Sequence, residues 1–136
     1  MKDKKILVDT SAWILSFKRT GQETLKNLVK EAIERERVVT TPVIVLEVLQ
    51  GCKTQKEFDN LRTRLESLEN CPMEDLIWER VYSFGSSLRR RGLTVPTLDI
   101  LIAFLAIEKG YTLLHHDHHF RMIAEHSELD AMDFLD

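Results

Sequence analysis

Three short aliphatic runs constrain this chain most: Ile6-Leu-Val8, Val38-Val-Thr40 and Tyr111-Thr-Leu-Leu-His115, each separated from the next by segments of helical length. Runs this short read as strands, and continuous rather than alternating apolar character is what a strand covered on both faces requires. Both faces are covered when helices flank a parallel sheet, so the pattern predicts an α/β chain: a three-layer α/β/α sandwich around a mostly parallel central sheet. Ligand sites in such sheets lie beyond the carboxyl ends of the strands. The residues following each run are therefore the first place to look for chemistry.

The intervening segments have helical spacing. Thr10 and Ser11 suit a helix start, and Leu25, Leu28, Val29, Ala32 and Ile33 form one apolar face over 22–37. Pro42 suits the first turn of a helix that Gly51 would end as a left-handed cap. A polar helix over 55–69, a short strand near Cys71 and a helix over 74–91 stopped by Gly92 follow. Thr97 is expected to cap an apolar helix ending at Gly110.

A chain of 136 residues with 43% hydrophobic content can bury a core as one domain spanning 1–136. Cys52 and Cys71 form no C-x-x-C pair, which argues against a zinc framework or a disulfide scaffold and fits a reducing cytoplasm. Met1 to Lys5 is basic, but Asp9 interrupts the apolar run behind it, so no export signal is expected. Ile100 to Ile107 is the longest strongly apolar stretch, well below the roughly 18 to 20 residues of a membrane span. A net charge of −3 does not give the overall basic field of a general nucleic-acid binder. Acids gathered in one place around divalent ions would reverse that field locally.

Four acids can be gathered so. Asp9 and Asp117 follow strands, Asp99 lies near a helix start, and Glu47 sits in a helix among Val43, Ile44, Leu46, Val48 and Leu49. Neighbouring carboxylates raise one another's pKa and burial adds to the cost, so a cation is their natural partner. Hard oxygen donors without cysteine suit Mg²⁺ or Mn²⁺, with a substrate phosphate completing the shell. Such ions activate water for in-line attack on a phosphodiester. Each acid also has a plainer reading: Asp9 as a helix cap, Asp99 as a favourable charge in a first turn, Asp117 as a turn residue. Glu47 is the hardest to explain away, because charged residues seldom occupy apolar surroundings without a partner.

The string His115-His-Asp-His-His119 invites a zinc or nickel reading. Adjacent strand residues face opposite ways, however, so a solvated turn is the simpler expectation, with His118 or His119 able to approach a phosphodiester substrate near the site. Lys18, Arg19, Lys53, Lys56, Arg62, Arg64 and above all Arg89 to Arg91 are candidates for phosphate contacts.

These blocks resemble the PIN-domain family, and more particularly the VapC-type toxins of toxin–antitoxin pairs. Ile6-Leu-Val-Asp9-Thr-Ser11 resembles the family's opening strand and D-x-S motif, and 41–51 the segment carrying its acidic helix residue, Glu47. Leu98-Asp99-Ile-Leu-Ile-Ala103 resembles its D-x-L-I-A helix, and 112–120 its closing strand with the D-x-x-F turn. The chain departs at His119, where many relatives carry a second acid. The resemblance implies an Mg²⁺- or Mn²⁺-dependent endoribonuclease acting on tRNA or ribosomal RNA, with Asp9, Glu47, Asp99 and Asp117 as metal ligands. It also implies a homodimer and a VapB-type antitoxin that docks a peptide over the site. Ser11 is placed to orient Asp9 or a metal-bound water, and an apolar groove beside the Glu47 helix would accept an antitoxin helix.

Two other readings compete. A phosphoacceptor receiver domain also puts acids at strand ends, but it needs paired acids near its first strand and a lysine after a late one. A catalytically silent PIN-like RNA-binding or interaction module remains the stronger alternative.

Overall fold

The computed structural model describes residues 4–133; part of the basic stretch Met1 to Lys5 and the last three residues of the expected domain lie outside that range. Five strands, β1 (Ile6–Val8), β2 (Val38–Thr40), β3 (Glu69–Asn70), β4 (Thr112–His115) and β5 (Asp130–Asp133), form one sheet of order β3-β2-β1-β4-β5. All four pairings are parallel, so the expected mostly parallel sheet is wholly parallel. Its helices are α1 (Thr10–Ser16), α2 (Glu23–Glu34), α3 (Pro42–Gln50), α4 (Gln55–Glu66), α5 (Trp78–Arg90), α6 (Thr97–Lys109) and α7 (His118–Glu125).

From β1 the chain winds through β2 to β3 on one side, then returns to place β4 and β5 on the other. Right-handed crossovers, nearly universal for parallel strands, put α1 to α4 on one face and α5 to α7 on the opposite one. The packing agrees: α1 lies against α2 and α3, α3 against α4, α5 against α6, and α6 against α7. The winding direction reverses between β1 and β4, which makes their shared carboxyl edge the crevice of the fold. Val8 pairs with Leu114 at that edge, and Asp9 continues the ladder by donating its amide to the Leu114 carbonyl at 2.9 Å.

Leu7, Val8, Val39, Leu113 and Leu114 have no exposed surface. The outer strands differ: β3 is exposed, and β5 alternates exposed and half-buried residues. Among the described residues no helix is long and apolar enough to cross a membrane.

Several local expectations need correction. Gly51 is not a left-handed cap: its φ is −82°, and the α3 end closes instead through tighter turns, Gly51 N–H to Val48 and Cys52 N–H to Leu49 carbonyls. Thr97 does not cap α6 but is its first residue, with Pro96 at the cap position. The helix expected over 74–91 is interrupted; a short 3₁₀ turn, Met73–Asp75, gives way to extended Leu76 and Ile77 before α5 begins. Leu76 is buried, and drawing it into the core breaks the helix. Gly110 does end its helix left-handed, at φ +72°, a conformation that costs a residue with a Cβ more.

Truncating the central strand should disable the whole scaffold. Leu7→Ala is expected to lose roughly 2–5 kcal/mol, while Ile33→Ala, at a residue 42% exposed, should lose far less; urea denaturation midpoints compare the two.

Candidate active site

Asp9 leaves β1 into the crevice as the N-cap of α1. Its Oδ2 accepts hydrogen bonds from the Ser11 amide at 3.0 Å and the Ser11 hydroxyl at 2.6 Å. That hydroxyl in turn accepts from the His116 amide at 2.9 Å, tying the β1 exit to the β4 exit. The proton of Ser11 is thus committed to Asp9, which favours the orienting role over direct contact with water.

Asp117 is the mirror case on the neighbouring strand. It caps α7, with Oδ1 accepting from the His119 amide at 2.9 Å. Its own amide donates at 3.1 Å to Nδ1 of His115, an imidazole with no exposed surface. Because Nδ1 accepts, His115 is neutral with its proton on Nε2. Burial holds its pKa low, against the pull of Asp133, Asp9 and Asp117.

The other two acids come from opposite layers. Glu47, in the α3 face nearest α1, accepts from the Thr10 hydroxyl at 3.1 Å. Asp99 sits in the first turn of α6 and is 9% exposed. A helix N-terminus alone would lower a carboxyl pKa. Asp99 is instead pushed up to about 7, by burial first and then by the charges of Asp117, Asp9 and Glu47. Asp9 is raised by burial and by Asp117, although its bonds with Ser11 and Thr10 oppose the shift. Glu47 is raised by burial, Asp9 and Asp117, with Thr10 opposing. The four acids therefore share one electrostatic neighbourhood. Asp9, Asp99 and Asp117 do occupy cap or first-turn positions, but for Asp9 and Asp99 capping does not explain a group whose charge its surroundings disfavour.

A fifth group belongs with them. The string after β4 is no simple solvated turn, because α7 begins at His118 and its first turn brings His119 back towards the acids. His119 Nδ1 lies 3.2 Å from Asp117 Oδ1 and 3.4 Å from Asp99 Oδ2, shielded from solvent and without a hydrogen-bond partner. His118 points outward, its side chain 70% exposed. Donor atoms of Asp117, His118 and His119 all lie within 4.8 Å of one another. An orphaned nitrogen facing mutually repelling carboxylates fits a divalent ion.

The Thr10 contact with Glu47, the His115 contact with the Asp117 backbone and the buried face of His119 escaped the sequence reading, which placed Thr10 at a helix start and His115 in a zinc or nickel string. A histidine on a strand otherwise composed of core leucines was the available signal for His115. The triple arginine is less free than expected. Arg90 binds the Ser86 hydroxyl, Arg91 the His126 carbonyl, and Arg89 lies 3.5 Å from the Thr94 hydroxyl.

A family model described as PIN domain matches residues 6–126. The VapC ribonuclease Mb1587 of Mycobacterium bovis is 32% identical over 134 residues, 95% of this chain and 98% of that protein. Ribonuclease VapC11 of Mycobacterium tuberculosis matches at the same 32% identity and the same coverage, 95% and 98%. Of solved structures, VapBC2 from Rickettsia felis, bound to a DNA fragment from their promoter, aligns with a TM-score of 0.78 at 17% identity over 95% of this chain and 98% of that one. DNA-bound VapBC from Salmonella typhimurium aligns at 0.76 and 16% identity over 96% and 98%. These structural likenesses speak to the fold.

The crowded acids give stability a particular pH dependence. A carboxyl whose pKa rises on folding stabilises the native state while protonated, so that contribution is present at low pH and disappears as pH rises through the folded value. For Asp99 the window runs from its ordinary 3.8 to about 7. His115, with a lowered pKa, has the opposite sign and gains as pH rises towards 6.5. Asp99→Asn removes the first effect and keeps the second. In EDTA, wild type should therefore lose roughly 5 °C more melting temperature than Asp99→Asn between about pH 5 and about pH 8, and Mn²⁺ should erase the difference. Equal slopes in calorimetric scans would mean that Asp99 is not under electrostatic pressure.

Proposed function

This chain belongs to the PIN-domain family, and from that premise we propose that it is a metal-dependent endoribonuclease, the toxin of a type II toxin–antitoxin pair, hydrolysing phosphodiesters of tRNA or ribosomal RNA. The observation that carries the reading is the gathering of Asp9, Glu47, Asp99 and Asp117 at one strand edge, where His119 Nδ1 lies 3.4 Å from Asp99 and 3.2 Å from Asp117 and burial with the other three acids disfavours the Asp99 charge. Electrostatic strain of this kind is relieved when a cation binds, and hydrolysis of an anionic ester benefits from the same cation.

Asp9, Glu47, Asp99 and Asp117 hold the ion, Mg²⁺ or Mn²⁺. When bound, it supplies Lewis-acid chemistry, easing deprotonation of water and offsetting charge on the phosphate oxygens. The remaining work is positioning. Ser11 fixes Asp9 and joins the two strand exits, Thr10 fixes the Glu47 carboxylate, and His115 fixes the Asp117 backbone. Outer-shell contacts like these set the orientation of metal ligands. The crevice between β1 and β4 leaves RNA an approach along the carboxyl edge of the sheet.

A VapB-type antitoxin restrains the enzyme by laying an apolar segment on the surface near this edge. Beside the Glu47 helix lies a groove of about 470 Å³, lined by Val45, Leu46, Leu49 and Phe58 among others. Another, of about 400 Å³, lies between α1, α2 and α4 around Trp13, Phe17 and Val29, with Lys26, Lys30 and Arg64 at its edge. The toxin forms a homodimer through the exposed Ile77, Trp78 and Tyr82 at the start of α5. It works in the reducing cytoplasm, consistent with the free thiols of Cys52 and Cys71.

Loss of an outer-shell partner at a metal site costs about 10–100-fold; loss of a ligand should cost at least as much. Asp99→Asn is thus expected to cut tRNA or ribosomal RNA in Mn²⁺ at least about a hundredfold more slowly than wild type, measured by single-turnover cleavage. Ser11→Ala should fall within about 10–100-fold. Equal and negligible rates for wild type and Asp99→Asn on every RNA offered would support the silent binding module instead. Separately, Tyr82→Arg should convert a dimer to a monomer in sedimentation velocity.

A further inference from the structure

His119 does not behave as a turn residue or as a simple partner of its neighbours. It stands in the first turn of α7, and its amide is already spent on Asp117 Oδ1. Its Nδ1 is directed at two carboxylates from different elements, 3.2 Å from Asp117 Oδ1 and 3.4 Å from Asp99 Oδ2. It satisfies hydrogen-bond geometry with neither, and it has no access to water.

Those separations are informative. Two donors sharing an octahedral ion at about 2.1 Å stand roughly 3.0 Å apart, and around a tetrahedral ion at about 2.0–2.1 Å roughly 3.3–3.4 Å apart. The nitrogen stands at such a donor-to-donor separation from each of the two oxygens. His118 lacks this placement. Its Nδ1 lies 3.7 Å from Asp117 Oδ1, its side chain is 70% exposed, and its ring packs 4.2 Å from that of His119 as an outer cover.

We propose that His119 Nδ1 is a direct nitrogen ligand of the divalent-ion centre, alongside Asp99 and Asp117, and makes the site selective for Mn²⁺ over Mg²⁺. The proposal rests on the metal-dependent reading of the four acids and extends it to the donor set. Imidazole adds little for Mg²⁺, which prefers oxygen, but raises affinity for ions later in the first-row series.

The test is pulsed electron paramagnetic resonance on the full-length chain loaded with Mn²⁺, paired with calorimetric titration of Mn²⁺ and Mg²⁺. Wild type should show the modulation of a directly bound ¹⁴N. His119→Gln should lose it, and His118→Ala should keep it. The ratio of Mn²⁺ to Mg²⁺ affinity should drop by about tenfold in His119→Gln. His119→Asp, which retains a donor but no nitrogen, should bind both ions without the signal, so a fold defect in one variant does not decide the matter.

Three results would overturn the proposal, and they separate its causes. If Mn²⁺ binds, Asp99→Asn weakens it and no nitrogen is detected in wild type, the acids hold the ion and His119 does not. If the nitrogen signal survives in His119→Gln, another imidazole is the ligand. If wild type binds neither ion, the metal-dependent reading itself fails.

Discussion

Like charges held out of water at the carboxyl edge of β1 and β4 are the interaction on which the rest of this structure turns. Bringing Asp9, Glu47, Asp99 and Asp117 into one neighbourhood is unfavourable, as the upward displacement of Asp9, Glu47 and Asp99 records. The fold tolerates the arrangement because it is imposed from several directions at once. Two acids follow adjacent strands that leave the sheet in register, one descends from each helical layer, and the strands beneath are buried except at half-buried Thr112. A core of this kind offsets local repulsion that an isolated helix or hairpin could not hold.

Short-range hydrogen bonds then turn proximity into geometry. Ser11 spans the exits of the two central strands, Thr10 holds the α3 carboxylate, and His115 anchors the turn that presents Asp117. None of these groups carries the site's charge. Their common effect is to restrict how the carboxylates can rotate away from one another, leaving proton uptake or a counter-ion as the routes to relief. His119 belongs to the same logic, since its amide caps Asp117 while its ring faces Asp99.

Much of this was legible in the sequence where a single local rule dominates. Continuous apolar runs identified β1, β2 and β4, and acids within two residues of the ends of two of them located the crevice, because neither inference depends on distant residues. What escaped depends on tertiary context. α7 buries Phe120 and Ile123 behind a histidine pair, too little apolar pattern to announce a helix. β5, Asp-Ala-Met-Asp, is an edge strand whose exposed residues, Asp130 and Met132, and half-buried ones, Ala131 and Asp133, each include one polar and one apolar side chain, so no alternation announces it. The break before α5 follows from burial of Leu76, and the conformation of Gly51 from how α3 meets its next turn, neither of which residue type alone reveals. Missing α7 had a functional consequence, since its first turn is what brings His119 inward.

Carbon-13 nuclear magnetic resonance titration of the side-chain carboxyls, with and without Mg²⁺, tests the central claim most directly. In ion-free buffer Asp99 should titrate at about 7 and, with Mg²⁺ bound, fall well below that value. An Asp99 carboxyl that titrates near its ordinary 3.8 and ignores the ion would contradict the account.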